Sequence, residues 1–207
     1  SSSAALAAAP VLAGGGTRIR STSNSPPRKV VVGTAMQSFW GNYPGLRSRL
    51  DQLAGMVDQM AAQAKMKYGR GLDLAVLPET AITGEAAGDA LACSVPFDGP
   101  VQEVFTRKAR EHGCYIIVPT YLRDSKKSCS NAAILVGRKG EVVGTYRKIH
   151  LVVSLDRGTM EGGATPGDKL PVFDCDFGKL GIQICYDMEF DDGWTELARR
   201  GAELIAW

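Results

Sequence analysis

The sequence predicts an α/β protein in which a mixed β-sheet carries packed helices. Short apolar, β-branched runs of strand length alternate with segments whose apolar residues recur at spacings of three and four. Gly or Pro punctuates many of the boundaries between the two patterns. The composition of the 207 residues, 44% hydrophobic and 22% charged, is that of a globular chain able to build one domain with a substantial core.

The elements follow in order from Lys29. Val30 to Met36 is a β-branched run and reads as a buried strand. Leu46, Leu50, Leu53, Val57, Met60 and Ala64 line one side of a helix from Leu46 to Tyr68, which Gly69 and Gly71 stop. Leu72 to Leu77 is a second strand, ended by Pro78. A helix from Val101 to His112 stops at Gly113. Strands are expected at Tyr115 to Tyr121, at Asn131 to Val136 and, after the turn Arg138-Lys139-Gly140, at Gly144 to Lys148. A Gly-rich loop from Ser154 to Asp168 leads to strands at Val172 to Phe177 and Leu180 to Cys185. A polar turn, Tyr186-Asp187-Met188-Glu189, precedes a helical pattern from Trp194 to Arg200, and Ala202 to Ala206 is a last apolar run.

The two ends differ from the rest. Residues 1–28 are rich in Ser, Ala, Gly and Pro, contain Arg and contain no acid; the first acidic residue is Asp51. That is the composition of an organelle transit peptide and equally of a flexible, low-complexity tail. It is expected to be disordered, which leaves 29–207 as the folded domain. The first case implies a plastid or mitochondrion, the second the cytoplasm. At the other end the chain stops at Trp207, straight after the last apolar run, and it does not begin with Met. A fragment or truncated product is therefore expected, inactive or nearly so as 207 residues.

Charge and cysteine usage narrow the function. With 24 basic and 22 acidic residues the formal net charge is +2, and four of the basic ones (Arg18, Arg20, Arg28, Lys29) precede the first strand. Nothing in this balance is a nucleic-acid footprint. No apolar run approaches the length of a membrane span. The five cysteines, Cys93, Cys114, Cys129, Cys175 and Cys185, are odd in number and lack zinc spacing, which favours a reducing compartment and no structural metal.

Three side chains stand where chemistry is expected. Cys185 ends an apolar strand at a turn into a helix, a place that exposes a thiol to backbone N–H groups and lowers its pKa. By itself, a free cysteine there is more often a small buried hydrophobe. Glu79 follows Leu77-Pro78 just past a strand end, where α/β sheets place ligands, or it is a solvated loop residue. Lys148 closes a strand and shares a face with Tyr146, or it is an edge lysine that discourages aggregation. The three together, each at the end of an apolar run, point to one site.

The segments Pro78-Glu79-Thr80, Tyr146-Arg147-Lys148-Ile149-His150-Leu151 and Ile184-Cys185-Tyr186-Asp187 resemble the signature blocks of the nitrilase, or carbon–nitrogen hydrolase, superfamily. Pro166-Gly167-Asp168 and Gly201-Ala202-Glu203-Leu204-Ile205 fit as well, so the resemblance covers Lys29 to Trp207. True nitrilases carry Trp-Glu after the cysteine. Tyr186-Asp187 is similar instead to the amidase branches, omega-amidase-like enzymes among them.

The resemblance implies an α-β-β-α sandwich, four-layer on dimerisation and incomplete at its C-terminal end, and a homo-oligomer in the full-length form. It implies hydrolysis of a small amide, in preference to a nitrile, through a thioester on Cys185. Glu79 is then the general base and acid, and Lys148 stabilises the oxyanion with the Tyr186 backbone N–H. Glu161 is the match for a second carboxylate, and Tyr186 and Glu189 line the pocket. The reaction needs water and no cofactor or metal. Two other readings remain open: a catalytically inactive family member with a regulatory or interaction role, and a Cys–His hydrolase using His150.

Overall fold

The computed structural model describes residues 29–36, 42–84, 86–154 and 159–207; the composition-based reading of residues 1–28 lies outside them. The helical spacing between Leu46 and Tyr68 is realised as α1 (Leu46–Tyr68), which buries Leu50, Leu53, Val57, Met60 and Ala64 and ends at Gly69 in the left-handed conformation, φ 68. Helix α2 (Ala90–Cys93) is a single turn capped by the Asp89 side chain on Ala92 N at 2.7 Å. Helix α3 (Pro100–His112) starts with Pro at its first turn and ends on Gly113, φ 56.

Helices α1 and α3 cover one face of a five-stranded sheet of order β1-β2-β3-β4-β5. Its strands are β1 (Val32–Thr34), β2 (Leu74–Val76), β3 (Tyr115–Ser125), β4 (Ser128–Val136) and β5 (Val142–Arg147). The first three pair in parallel; β3–β4 and β4–β5 pair antiparallel, so β5 runs in the direction of β1 to β3. Leu53 and Val57 of α1 and Phe105 and Ala109 of α3 share a core cluster with Ala75, Ile116, Val118 and Ile134 of the sheet. Strands β3 and β4 outrun the expected Tyr121 and Asn131 boundaries. The extra residues Arg123, Asp124 and Ser125 are exposed, so the ladder continues past the end of the apolar signal.

The strands after residue 170 do not join that sheet. They form a second one of order β10-β9-β8, from β8 (Val172–Cys175), β9 (Gly178–Ile182) and β10 (Leu204–Ala206). The single mixed sheet suggested by the element order is thus corrected to two facing sheets, the first mixed; strand periodicity reports burial and not which sheet a strand enters. Leu74, Ile117, Ala133, Leu135 and Tyr146 of the first sheet pack with Phe173, Leu180, Ile182 and Ile184. The sheets approach so closely that a Cβ on Gly144 would stand 2.4 Å from the Phe173 ring.

Helix α4 (Asp191–Arg199) covers the outer face of the second sheet, with fully buried Leu197 over Gly181, where a Cβ would lie 3.0 Å from the leucine. The layers run α, β, β, α, as expected. All four come from one chain, so the layering does not wait on dimerisation. The expected loop at Ser154 to Asp168 contains the short pair β6 (Val153–Ser154) and β7 (Thr159–Met160) and a 3-10 turn, Glu161–Gly163. Among the described residues no helix is long and apolar enough to cross a membrane.

Candidate active site

Because β2, β5 and β3 run in one direction, the chain leaves β2 and β5 at the same end of the first sheet. Glu79 follows β2 by three residues and Lys148 follows β5 directly. The second sheet delivers Cys185 just past β9, as the first residue of a 3-10 turn, Cys185–Glu189. The three residues singled out from strand ends are therefore brought together.

Lys148 is 1% exposed, and its Nζ donates to Glu79 Oε1 at 3.0 Å and to Glu161 Oε1 at 3.1 Å. An ammonium removed from water to this degree persists only when paired. Burial pulls the Lys148 pKa down, but the Glu79 and Glu161 charges overcome it and hold it above the ordinary lysine value. Glu161 is drawn into the cluster from its loop: its Oε2 accepts from Val152 N at 3.2 Å and its own N–H donates to Val152 O at 2.8 Å.

The thiol differs from expectation. The Cys185 residue is exposed, yet burial of its sulfur and then the Glu79 charge push its pKa up from the ordinary thiol value. The opposing pull of the Lys148 charge on the thiol is the weaker one. The lowered pKa expected from strand end and turn is corrected accordingly: burial and the Glu79 charge favour the thiol over the thiolate.

Backbone strain gathers here. Among the described residues, the non-glycine residues with positive φ are Thr80 (50°), Glu161 (44°) and Cys185 (46°). One is a neighbour of Glu79 and two carry site side chains. Such conformations cost about 1–3 kcal/mol each and persist only where the surroundings impose them.

Two further residues hold the site, and the sequence reading gave neither a role. Asn131, fully buried on β4, donates from Nδ2 to Glu79 Oε1 at 2.8 Å and to Glu161 Oε1 at 2.5 Å. Asp187, also fully buried, accepts from the Tyr146 hydroxyl at 2.7 Å, Ile184 N at 2.9 Å, His150 N at 2.9 Å and His150 Nδ1 at 3.1 Å. Burial and then the Asp187 charge drive the Tyr146 phenol far up, which keeps it a donor. A lone Asn in an apolar strand and an Asp in a polar turn carry no periodic signal. The only visible hint was Asp187 within the block after Cys185.

A cavity of about 390 Å³ opens at Cys185 and Glu79 and runs between the sheets past Ile117, Pro119 and Ile182 to Trp207, whose Nε1 donates to Cys185 O at 2.9 Å. Tyr186 and Glu189 do not line this cavity. In a 3-10 turn, residues three apart eclipse one another, which sets these two on one side of it. Tyr186 packs edge-on to Phe190 at 5.4 Å and Glu189 is exposed.

His150 stacks on Phe190 at 3.8 Å and turns its ring nitrogens to Asp187 and Asp192. His112 closes α3 against Asp58 at 2.6 Å. Asp58, Glu111 and His112 converge closely enough for a cation, but Lys108 Nζ already meets both acids, at 2.7 and 3.1 Å.

Fold and site together define an α-β-β-α sandwich that gathers a cysteine, a lysine and two carboxylates at its strand ends. The chain belongs to the carbon-nitrogen hydrolase family, whose model matches residues 37–207. It is 31% identical over 157 residues to the deaminated glutathione amidase of Yersinia enterocolitica, covering 72% of this chain and 54% of that protein. To the human deaminated glutathione amidase it is 34% identical over 149 residues, covering 66% and 45%. The chain thus spans about half the length of these relatives. In structure it is similar to an amidase from Nesterenkonia sp. (TM-score 0.67, 19% identity, 87% of this chain and 65% of that one). It is also similar to Saccharomyces cerevisiae Nit3, of the nitrilase superfamily (TM-score 0.66, 22% identity, 88% and 66%).

Proposed function

We propose that the chain carries the catalytic centre of an amidase-like hydrolase that cleaves the carbon–nitrogen bond of a small amide through a Cys185 thioester. The observation that carries this reading is the contact set around Glu79. One carboxylate lines the same cavity as the Cys185 thiol and accepts from the buried ammonium of Lys148. Relatives named as amidases favour an amide over a nitrile.

In the proposed reaction the thiol proton passes to Glu79 as sulfur attacks the carbonyl carbon, forming the C–S bond and moving the carbonyl π pair onto oxygen. Lys148 uses two of its three N–H donors on Glu79 and Glu161, so one remains for that oxyanion. The Tyr186 N–H, in the first turn after Cys185, is the second donor. Collapse breaks the C–N bond, and Glu79 returns its proton to the departing ammonia. Glu79 then takes a proton from water as the hydroxide oxygen attacks the thioester; the C–S bond breaks and the thiol is restored. The balance is amide plus water giving carboxylic acid plus ammonia. Glu161 fixes Lys148 from the other side. A Cys–His mechanism has less support, because both ring nitrogens of His150 face carboxylates.

The test is ammonia release from short aliphatic amides by the natural full-length protein. Turnover that Cys185→Ala abolishes supports the reading. An inactive wild type with a reactive Cys185 favours a non-catalytic member of the family. For residues 1–28 the acid-free, Ser-, Ala- and Arg-containing composition supports organelle targeting. A fused reporter that stays cytosolic would refute that.

A further inference from the structure

Asn131 makes an unusual choice of partners. Its amide is fully buried, and Nδ2 reaches both Glu79 Oε1 and Glu161 Oε1, while Oδ1 has no hydrogen-bond partner. A buried polar atom left unsatisfied calls for an explanation. Here the whole use of the side chain is its NH2 group. The same residue also anchors the lysine's backbone, since Lys148 N donates to Asn131 O at 2.8 Å.

We propose that Asn131 is a positioning residue of the hydrolytic centre: its neutral amide clamps Glu79 and Glu161 as a fixed pair against Lys148. The proposal rests on the hydrolase reading above. The chemistry of the side chain fits the task. Two carboxylates sharing one ammonium repel each other, and a further shared donor offsets that repulsion. Asparagine supplies two N–H groups and no charge. A lysine or arginine would neutralise the pair and compete with Lys148. An aspartate would add a third negative charge, and an apolar residue would leave both acids on Lys148 alone. With the amide in place the cluster of two carboxylates and one ammonium keeps a net negative charge, and Glu79 stays oriented to accept the thiol proton.

The test uses the natural full-length protein and its Asn131→Leu and nearly isosteric Asn131→Asp variants. Thermal unfolding checks the fold. Propionamide turnover is followed across pH, and so is alkylation of Cys185 by iodoacetamide, which needs no turnover. Both variants should lose about 10²-fold in kcat with KM within about threefold. Their acid-side loss of activity should begin about one pH unit higher, because carboxylates that lose a donor or gain a charged neighbour are held less firmly ionised. In Asn131→Asp the alkylation profile should also move to higher pH, since added negative charge disfavours the thiolate. If Asn131→Leu does not fold, Asn131→Asp decides alone. Activity falling only in step with folded fraction, with both pH profiles unmoved, would overturn the proposal and leave Asn131 a packing residue. If the wild type releases no ammonia yet the Asn131→Asp alkylation profile moves, the hydrolase reading fails while the clamp stands. An unmoved profile in that case overturns both.

Discussion

The Tyr146 hydroxyl donates to Asp187 at 2.7 Å, and through that one bond the strand that delivers Lys148 is tied to the turn that carries Cys185. Asp187 also accepts from Ile184 N and His150 N, so the carboxylate fixes both chain segments that flank the site. Its removal should therefore cost more than removal of its partner. Tyr146→Phe loses one donor and should lower stability by about 1–2 kcal/mol, or roughly 2–8 °C in melting temperature. Asp187→Ala removes the acceptor of four donors, two of them in buried bonds, and should cost at least twice as much. Thermal unfolding of the two variants checks the order; equal losses would mean that the bond, and not the hub, matters.

A second network, far from the thiol in sequence, joins α1 to α3. Lys108 Nζ donates to Asp58 at 2.7 Å, and His112 Nε2 lies 2.6 Å from the same carboxylate. Burial opposes ionisation of Asp58, but the Lys108 and His112 contacts outweigh it and hold the pKa below the ordinary 3.8. A depressed carboxylate pKa adds stability above the unfolded value, and that stability is lost as pH falls through the folded one. Asp58 is 44% exposed in its side chain, so solvent screening keeps the effect to about 1 kcal/mol or less. Urea unfolding should find Asp58→Asn less stable than wild type at pH 6, with the gap closing below pH 3.8. A gap unchanged by acid would show that packing is responsible.

Gly144 sits where the sheets touch. A methyl group there meets the Phe173 ring at 2.4 Å, a distance that requires the ring or the sheet to move. Gly144→Ala should destabilise by about 1–3 kcal/mol, the usual range for overpacking a core. Phe173→Leu in the same chain should recover part of that loss. A neutral Gly144→Ala in denaturant titration would mean the sheets are not held at this spacing.

Much of the site was legible because it sits where patterns end. Glu79, Lys148 and Cys185 each close an apolar run, and a strand end is visible in sequence. Glu161 was placed by resemblance alone, since its approach depends on φ 44 at its own backbone and φ 66 at Gly162, which periodicity does not encode. Asn131 looked like the first residue of an apolar strand, because nothing local marks a side chain whose partners come from two distant loops. The second sheet was hidden for a related reason. The strands expected at Val172 to Phe177 and Leu180 to Cys185 are realised as Val172–Cys175 and Gly178–Ile182, but their pairing with each other and with Leu204–Ala206 is a long-range property.

The central claim is that Glu79 acts on the Cys185 thiol, and the most direct measurement is the rate of Cys185 alkylation by iodoacetamide at pH 7 in Glu79→Gln against wild type. The nearby Glu79 charge pushes the thiol pKa up, so a neutral glutamine should lower that pKa, enlarge the thiolate fraction and make alkylation faster. Ammonia release by the same variant should fall by about 10²–10⁴-fold, because the proton acceptor is gone. Faster alkylation with lost turnover is the expected pair of results. Alkylation that is unchanged or slower in Glu79→Gln would contradict the coupling between carboxylate and thiol on which the mechanism stands.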